Sequence, residues 1–241
     1  MTKLSHCCGK RQRHFPKAAG SKVLDIMIII GIDLSGPSNH EETCISWFLD
    51  NRTKLIFQGY ISGASDKRIV ELISDLADRE NLCLGLDAPL SYNDGGGMRP
   101  CDRDLQAAII RIGMHPGSIM APTLNKMAYL TLRGYGVSRS IRLSETKYKV
   151  EIMETHPGAT FGLHGAPIDA VREYSRDREK RIEILKWLLK NGLLGLPEDI
   201  AESSHLVASC GCALAVWKWL RNESIWGCRA DPPHHPFDFA C

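Results

Sequence analysis

The feature that most constrains the fold of this chain is the segment IIIGID, Ile28 to Asp33, in which an uninterrupted apolar run is followed directly by an aspartate. A strand with one face in water alternates apolar and polar residues, whereas a strand buried on both faces is apolar throughout. Residues 27–33 therefore predict a central strand of an α/β sheet. Because the segment ends on Asp33, the same strand would hold a carboxylate at one edge of that sheet.

The order of the remaining segments extends this prediction to a whole sheet. Two apolar segments, 43–49 and 54–61, flank the turn-forming sequence DNRT and predict a β-hairpin. Further strands are predicted at 82–87 and 149–154. Helices are predicted at about 66–80, 102–112, 123–133, 177–190 and 199–220. Strands separated by a helix should be parallel, so the first, fourth and fifth strands are expected to end at the same edge, where open α/β sheets bind ligands.

Length and composition are those of an ordinary globular protein. The 241 residues are enough for one large domain or two small ones. Of these residues, 44% are hydrophobic and 24% are charged, as is usual for a globular protein. No apolar run of about 18 residues occurs, so no transmembrane helix is predicted. The nine cysteines include no CxxC pair, which argues against a zinc ribbon and favours free thiols in a reducing, cytoplasmic setting.

The net charge of +2 is unevenly distributed along the chain. Residues 1–26 contain six lysines and arginines and one acid, Asp25, so the remaining residues are acidic overall. This excludes a globally basic nucleic-acid binder and requires any basic surface to be local. Residues 1–26 lack the apolar core of a signal peptide. They are predicted to be a basic, disordered arm, the alternative being translated upstream sequence before a start at Met27.

Three of the predicted strands end in an acid, namely Asp33, Asp87 and Glu154. One such acid is more often a turn residue, but three at one edge would repel each other unless a cation neutralises them. Oxygen ligands select hard cations such as Mg²⁺ or Mn²⁺. Carboxylate clusters that hold one or two such ions catalyse in-line phosphodiester hydrolysis. The three acids are therefore candidate metal ligands and catalytic residues.

Five motifs in a fixed order add a resemblance to a known family. They are GIDLSG, LGLDAPLS, MRPCDRDL, YLTLRGYG and VEIMETHPGATF. Between Met27 and Leu220 the chain resembles a family of predicted RNase H-like nucleases, domain of unknown function 429. The resemblance implies an RNase H-like α/β fold: a mixed five-stranded sheet with its first three strands antiparallel, flanked by helices. It also implies that Asp33, Asp87 and Glu154 are the acids of the site.

The last helix departs from the pattern of RNase H-like nucleases, which usually take a further acid from it. The sequence there is ESSHLVASCGCALAVWKWL, so the acid positions become His205 and Ala208 or Ser209, with Glu202 a turn earlier. His205 could act as a metal ligand or a proton-transfer group near neutral pH, and we include it among the catalytic candidates. The alternatives are that Glu202 substitutes, that the site has lost a ligand, or that His205 only caps the helix.

Two segments supply candidate contacts to nucleic acid. Arg99 follows three glycines and could bind a phosphate in a bidentate manner, the alternative being a structural ion pair with Asp102. Residues 133–149 are basic and contain two tyrosines; positive charge follows phosphates and aromatic rings stack on bases. The alternative for this segment is a solvated loop. The candidate contacts are Arg99, Arg133, Arg139, Arg142, Lys147 and Lys149.

The sequence thus predicts a nuclease or phosphodiesterase that uses Mg²⁺ or Mn²⁺ on DNA or RNA and does not associate with membranes. The main alternative is a nucleic-acid or protein binding module that kept the fold and lost catalysis, because the helix acid is missing. An ATP-using phosphotransferase of the actin–hexokinase type is disfavoured, since that fold needs two such domains. The predicted organisation is the arm (1–26), an RNase H-like domain (27–225) and an irregular tail (226–241).

Overall fold

The chain folds around one mixed β-sheet with helices on both faces. The computed structural model describes residues 27–241, and the predicted basic arm lies outside the described residues. The strands are β1 Met27–Asp33, β2 Cys44–Asp50, β3 Leu55–Ser62, β4 Asn81–Asp87, β5 Val150–Thr155, β6 Leu193–Leu194, β7 Gly227–Cys228 and β8 Asp238–Ala240. Their order across the sheet is β6-β3-β2-β1-β4-β5-β8-β7.

The main strands have the predicted directions. The hairpin β2–β3 forms, and β2 is antiparallel to both of its neighbours, β1 and β3. On the other side of β1, strands β4 and β5 follow in parallel. The first, fourth and fifth strands therefore end at the same edge of the sheet, as expected from the strand–helix order.

The predicted number of five strands is wrong, because the sheet has eight. The three additional strands contain only two or three residues each, too few to produce a periodic pattern in the sequence. Two of them, β7 and β8, belong to the tail 226–241 that was predicted to be irregular. Strand β8 pairs in parallel with β5 and buries Phe239 and Ala240, so this segment is part of the sheet.

Seven α-helices complete the described part of the chain. They are α1 Asp66–Ala77, α2 Pro100–Arg111, α3 Asn125–Leu143, α4 Pro157–Leu163, α5 Ile168–Glu173, α6 Arg178–Lys190 and α7 Ser204–Leu220. The predicted helix 199–220 is divided, because Ser203 caps α7 by accepting a hydrogen bond from the Leu206 N–H and the residues before it form a 3-10 turn.

Helix α3 is longer than predicted and continues past two glycines, Gly134 and Gly136. A Cβ atom at Gly134 would lie 2.9 Å from the Cβ of Ala88 and 3.0 Å from the carbonyl oxygen of Pro89. The glycine is thus explained by close packing rather than by a helix end. Part of the predicted basic loop, up to Leu143, is consequently helical.

Two hydrophobic clusters lie on opposite faces of the sheet. Alternation along β1 sends Ile29 toward the face covered by α7, and Ile30 toward the face covered by α1 and α3. Strands β4 and β5 alternate in the same way, with Cys83 and Met153 on the α7 face. This alternation decides which of the strand-end acids can meet.

Between Met27 and Cys241, no helix is both long and apolar enough to cross a membrane. All seven cysteines of this part are free thiols. The other two, Cys7 and Cys8, lie outside the described residues.

Candidate carboxylate site

Asp33 and Asp87 come together at the carboxyl ends of two neighbouring strands. They are the last residues of β1 and β4 and are directly paired in the parallel register. Adjacent strands lie about 4.8 Å apart, and both side chains are on the α7 face. The two carboxyl groups are therefore neighbours at one edge and on one face of the sheet.

Two glycines bring helix α7 against this pair. Gly31 and Gly85 are register partners two residues before the acids. A Cβ atom at Gly31 would lie 1.8 Å from the carbonyl oxygen of Ser209, and one at Gly85 would lie 2.9 Å from that of Cys212. The backbone of α7 therefore packs directly on β1 and β4, at a distance that only glycine permits.

This packing places His205, in the first turn of α7, beside Asp33. The His205 Nδ1 atom lies 2.6 Å from the Asp33 Oδ2 atom, and its Nε2 atom lies 4.0 Å from Glu42 Oε2. The hydrogen bond to Asp33 raises the pKa of His205, with burial opposing this effect.

Asp33 and Asp87 are two neighbouring acids, and the His205 imidazole contacts one of them, Asp33. Burial raises the pKa of Asp87 well above its usual value, and charge repulsion by the neighbouring Asp33 and by Glu154 raises it further. A proton between the two carboxyl groups, or a bound cation, would relieve the repulsion. Nearby on the same face, the buried Thr155 hydroxyl has no hydrogen-bond partner among the described residues.

Glu154 does not join the two aspartates. It is level with Leu86 rather than with Asp87 and is followed by one more strand residue, Thr155. Because side chains alternate between faces, this offset of one residue directs Glu154 to the opposite face of the sheet.

There, Glu154 is bound by an arginine. Arg99 donates from Nη1 to Glu154 Oε2 at 2.8 Å and from Nη2 to Oε1, and the Leu90 N–H donates to Oε2 at 2.9 Å. Both carboxylate oxygens are therefore occupied, so the predicted shell of three carboxylates is not assembled. Across residues 27–241, no three side chains of His, Cys, Asp or Glu converge as they would around a metal ion.

Arg99 is buried and is not available to a phosphate in this arrangement. It contacts Asp102 through Nη2 at 2.7 Å as well as Glu154, so the structural ion pair considered as an alternative is the one observed. Burial disfavours the charged guanidinium, but the two carboxylates outweigh this effect and raise the pKa of Arg99. Its guanidinium also lies 5.7 Å from the ring centroid of Phe239.

Arg133 is also buried and has a structural set of partners. Its Nε atom donates to Asp66 Oδ1 at 2.7 Å, and Nη1 donates to the carbonyl oxygen of Ser35 at 2.8 Å and to Thr43 Oγ1 at 2.7 Å. It thereby fixes the loop that follows Asp33 to helix α1. The predicted role in binding nucleic acid does not fit a side chain enclosed in this way.

The remaining basic candidates do not form one surface with the carboxylates. Arg139 and Arg142 are exposed on α3, and Arg142 lies 5.7 Å from the ring centroid of Phe237. Lys147 and Lys149 precede β5, at the opposite end of that strand from Glu154 and about 20 Å away along it. Lys149 is paired with Glu151. Lys147 and Lys149 are therefore remote from Asp33 and Asp87.

The structure also shows the positions of Glu202 and Ser209, the residues considered beside His205. Glu202 is exposed and accepts a hydrogen bond from Arg178 Nε at 2.9 Å, so it does not approach the aspartates. Ser209 is buried and donates to Ser46 Oγ at 3.0 Å. Neither residue supplies the acid that is missing from α7.

A hydrogen-bonded pair that the sequence did not indicate connects the loop after β4 with the tail. Ser91 Oγ lies 2.7 Å from His235 Nδ1 and accepts a hydrogen bond from Arg99 Nη1 at 3.0 Å. The two residues are 144 positions apart, and no spacing or motif relates them. Two adjoining cavities of about 320 and 200 Å³ lie between this loop and the tail, and both are lined by Tyr92 and His234.

Comparisons of the chain with models of protein families, with curated proteins and with solved structures found no match. The resemblance indicated by the five sequence motifs therefore stays a prediction.

Proposed function

We propose that the chain is a divalent-metal-dependent nuclease or phosphodiesterase whose reaction centre is the pair Asp33–Asp87. The observation that carries this proposal is the meeting of two aspartates at the paired ends of parallel strands, where no arginine or lysine among residues 27–241 is paired with either of them. An arrangement that raises the pKa of a buried acid costs stability, and such arrangements are concentrated at functional sites.

The donor set fits one Mg²⁺ or Mn²⁺ ion better than two. Asp33 and Asp87 supply two carboxylates, and the unpartnered hydroxyl of Thr155 is a further oxygen on the same face. Mg²⁺ typically binds one or two protein carboxylates and keeps several waters. When bound, the ion would activate a water and neutralise charge on the phosphate. Glu154 is not among its ligands in this proposal.

Other side chains of the site would transfer a proton and bind the substrate. Asp33 accepts the Nδ1–H of His205, which leaves Nε2 free to exchange a proton. Because the pKa of His205 is raised, the ring is more often protonated near neutral pH and suits a donor to the leaving oxygen. Two exposed tyrosines, Tyr92 and Tyr135, line the smaller cavity and offer flat surfaces on which unpaired bases can stack.

We extend the proposal to an RNase H-like fold. It is supported by the three antiparallel strands that open the sheet, by the two parallel strands that follow, and by the position of the first acid at the end of β1. The short strands β6, β7 and β8 are additions at the two edges of this unit.

The test is cleavage of labelled single-stranded and double-stranded DNA and RNA by the full chain, with Mg²⁺ or Mn²⁺. Asp33→Asn and Asp87→Asn are each expected to lower kcat/KM at least about 100-fold, since each would remove a group that acts directly on the reaction. Asp75→Asn is the matched control, because Asp75 is an exposed acid on α1, away from the site. Its activity should equal that of the wild type.

Titration with Mn²⁺ followed by calorimetry measures the ion directly. Binding to the wild type and its loss in Asp87→Asn are expected. Cleavage that survives both aspartate substitutions, or the absence of any divalent-ion binding to the wild type, contradicts the proposal.

A binding module without catalysis is the second candidate, and one observation favours it. Glu154 is neutralised by Arg99, and the described part of the chain contains no cluster of three metal-binding side chains. Under this alternative, oligonucleotides bind with the same affinity in EDTA and in Mg²⁺, remain intact, and lose affinity when Tyr92 and Tyr135 are replaced by alanine.

A further inference from the structure

A serine and a histidine from distant parts of the chain meet where the two cavities adjoin. Ser91 is in the loop after β4, and its Oγ atom lies 2.7 Å from Nδ1 of His235 in the tail. Ser91 lines the smaller cavity and His235 lines the larger one, and both residues are half-buried. The pair is therefore held by the fold and is still open to a small molecule.

The direction of this hydrogen bond follows from a third residue. Arg99 Nη1 lies 3.0 Å from the same Oγ atom, and a guanidinium can only donate. Its donation occupies one lone pair of the hydroxyl and leaves the hydroxyl hydrogen for His235 Nδ1. The imidazole nitrogen is thus the acceptor, which is the arrangement in which a histidine removes a proton from a serine. The positive charge of Arg99 also favours negative charge on Oγ.

Both residues are fixed by backbone hydrogen bonds as well as by the contact between them. Residues 231–235 form a turn that two hydrogen bonds close. The Asp231 N–H donates to the His235 carbonyl at 2.7 Å, and the His235 N–H donates to the Asp231 carbonyl at 3.0 Å. On the other side, the Leu90 N–H donates to Glu154 Oε2 at 2.9 Å, directly before Ser91. The geometry of the pair is therefore present before any ligand binds.

The cavities indicate which substrate fits the pair. The smaller one, of about 200 Å³, has aromatic and apolar walls from Tyr92, Tyr135 and Pro236. Pockets for drug-sized ligands measure about 300–1,000 Å³, so this space suits a short acyl chain or a single ring. Asp94 and Asp231 line the larger cavity, and no lysine or arginine of residues 27–241 lines either cavity. This charge disfavours an anionic substrate.

We propose that Ser91 and His235 are a nucleophile and its general base, which hydrolyse esters of uncharged acyl groups that are short or contain a single ring. This inference goes beyond the proposed nuclease activity and does not depend on it, because it uses neither Asp33 nor Asp87 and no divalent ion. Either reaction places a planar group against the tyrosines of the smaller cavity, and EDTA separates the two reactions.

The reaction has two steps that use the same proton acceptor. Ser91 Oγ attacks the carbonyl carbon of the ester while its proton passes to His235 Nδ1. The bond from that carbon to the alcohol oxygen breaks, His235 protonates the departing oxygen, and the acyl group stays on Ser91. Water then attacks the acyl group and gives one proton to His235; the acid is released and the proton returns to Oγ. One ester and one water thus give one acid and one alcohol.

The experiment is labelling of the full chain with an alkyl fluorophosphonate in EDTA, followed by trypsin digestion and mass spectrometry. A serine nucleophile displaces fluoride from this probe and forms a stable bond to phosphorus. The expected product is the labelled peptide Glu80–Arg103, in which Ser91 is the only serine and no threonine occurs. Hydrolysis of 4-nitrophenyl butyrate in EDTA is expected in parallel and should stop when the serine is labelled.

Substitutions separate the two roles. Ser91→Ala should abolish labelling of this peptide, and His235→Gln should slow it by about 100-fold or more, as is usual for the loss of a general base. The matched controls are Ser140→Ala and His40→Gln, at exposed residues outside both cavities, which should react like the wild type. If the hydrogen bond between Ser91 and His235 were only structural, the wild type would stay unlabelled.

The wild-type result alone can overturn the proposal, whether or not the variants fold. If Ser91 stays unlabelled under conditions that label a serine protease completely, or if the probe reacts only at another residue, the assignment is rejected. Labelling of folded His235→Gln at the wild-type rate rejects the role of the histidine. Ester hydrolysis that requires Mg²⁺ or Mn²⁺ rejects a reaction independent of the Asp33–Asp87 pair.

Discussion

The carboxyl-terminal edge of the sheet holds two carboxylate sites that are close in space and opposite in electrostatic character. At the ends of β1 and β4, Asp33 and Asp87 are neighbours, and no arginine or lysine among residues 27–241 is paired with them. At the end of β5, Glu154 is enclosed by Arg99 and the Leu90 N–H. The first site has unsatisfied charge and is suited to bind a cation or a proton. The second is satisfied and is suited to hold the structure together.

One residue of register separates the two sites. Asp87 is the last residue of its strand and lies on the same face of the sheet as Gly85. Glu154 is level with Leu86 and lies with it on the opposite face. Strand ends therefore bring acids to the same edge, but the parity of the position decides which acids meet. The two aspartates on the α7 face form the candidate reaction centre, whereas Glu154 on the opposite face belongs to a structural ion pair with Arg99.

The largest expected effect comes from breaking the satisfied site. Arg99→Met leaves Glu154 and Asp102 buried without their cation, and removal of one partner from a buried ion pair typically costs about 3–5 kcal/mol. We expect a loss of this order in the free energy of unfolding, measured by urea denaturation. Arg99→Met combined with Glu154→Gln should recover part of the loss, because one of the two unpaired charges is then absent.

The matched control for this change is Arg178→Ala. Arg178 forms the same type of pair with Glu202, but both side chains are exposed, and exposed pairs contribute little. If the two arginine substitutions destabilise the protein equally, the distinction between a structural and a surface pair is refuted.

The contrast between the two sites also marks how far the sequence can be interpreted. The apolar runs that end on Asp33 and Asp87 have the period of buried strands, so their direction and common edge follow from local chemistry. The position of Glu154 relative to Asp87 depends on the pairing register of β4 with β5, which no local pattern encodes. The same holds for Arg99 and Ser91, whose partners lie 55 and 144 residues away.

Burial explains the other differences. Arg133 resembled a surface cation because its neighbours in sequence are basic, but it is enclosed by residues that lie 67 to 98 positions earlier. The helix predicted at 123–133 continues to Leu143, and Gly134 within it is required by the contact of α3 with the loop after Asp87. Contacts between residues far apart in the sequence determine the surroundings of both residues, and such contacts cannot be predicted from local sequence patterns.

A pair of glycine substitutions on α3 probes the packing of this helix against the loop that follows Asp87. Gly134→Ala places a methyl group against Ala88 and Pro89, and overpacking of this kind costs about 1–3 kcal/mol. Gly136→Ala meets no atom within 4 Å and should instead stabilise the helix by up to about 1 kcal/mol. Thermal unfolding of the two variants should therefore shift in opposite directions, and a shift of both in the same direction would contradict this account.

The pH dependence of the stability of Asp87→Asn, compared with that of the wild type, tests whether the Asp87 carboxylate destabilises the folded protein. The pKa of Asp87 is raised in the folded state, so the wild type is most stable below the unfolded value of about 4 and loses stability as the pH rises through the folded value. In the absence of divalent ions, we expect Asp87→Asn to be more stable than the wild type at pH 7, by on the order of 1 kcal/mol. The difference should shrink toward pH 4.

Addition of Mn²⁺ provides the check on that result. It should stabilise the wild type by mass action and leave Asp87→Asn nearly unchanged. Equal stabilisation of both proteins would place the ion elsewhere.

The smallest expected effect belongs to His205, which connects the unsatisfied pair with helix α7. Its pKa is raised by the hydrogen bond to Asp33, so the stability it contributes is fully present below the unfolded value of about 6.5 and is lost as the pH rises through the folded value. The side chain is 38% exposed, so solvent screening limits this contribution to less than about 1 kcal/mol. We therefore expect His205→Gln to be less stable than the wild type at pH 5.5 and equal to it at pH 9. NMR titration of the imidazole should give a pKa above 6.5 in the wild type and a lower value in Asp33→Asn. A titration that is unchanged by Asp33→Asn would separate His205 from the aspartate pair and leave it as a residue of the helix end alone.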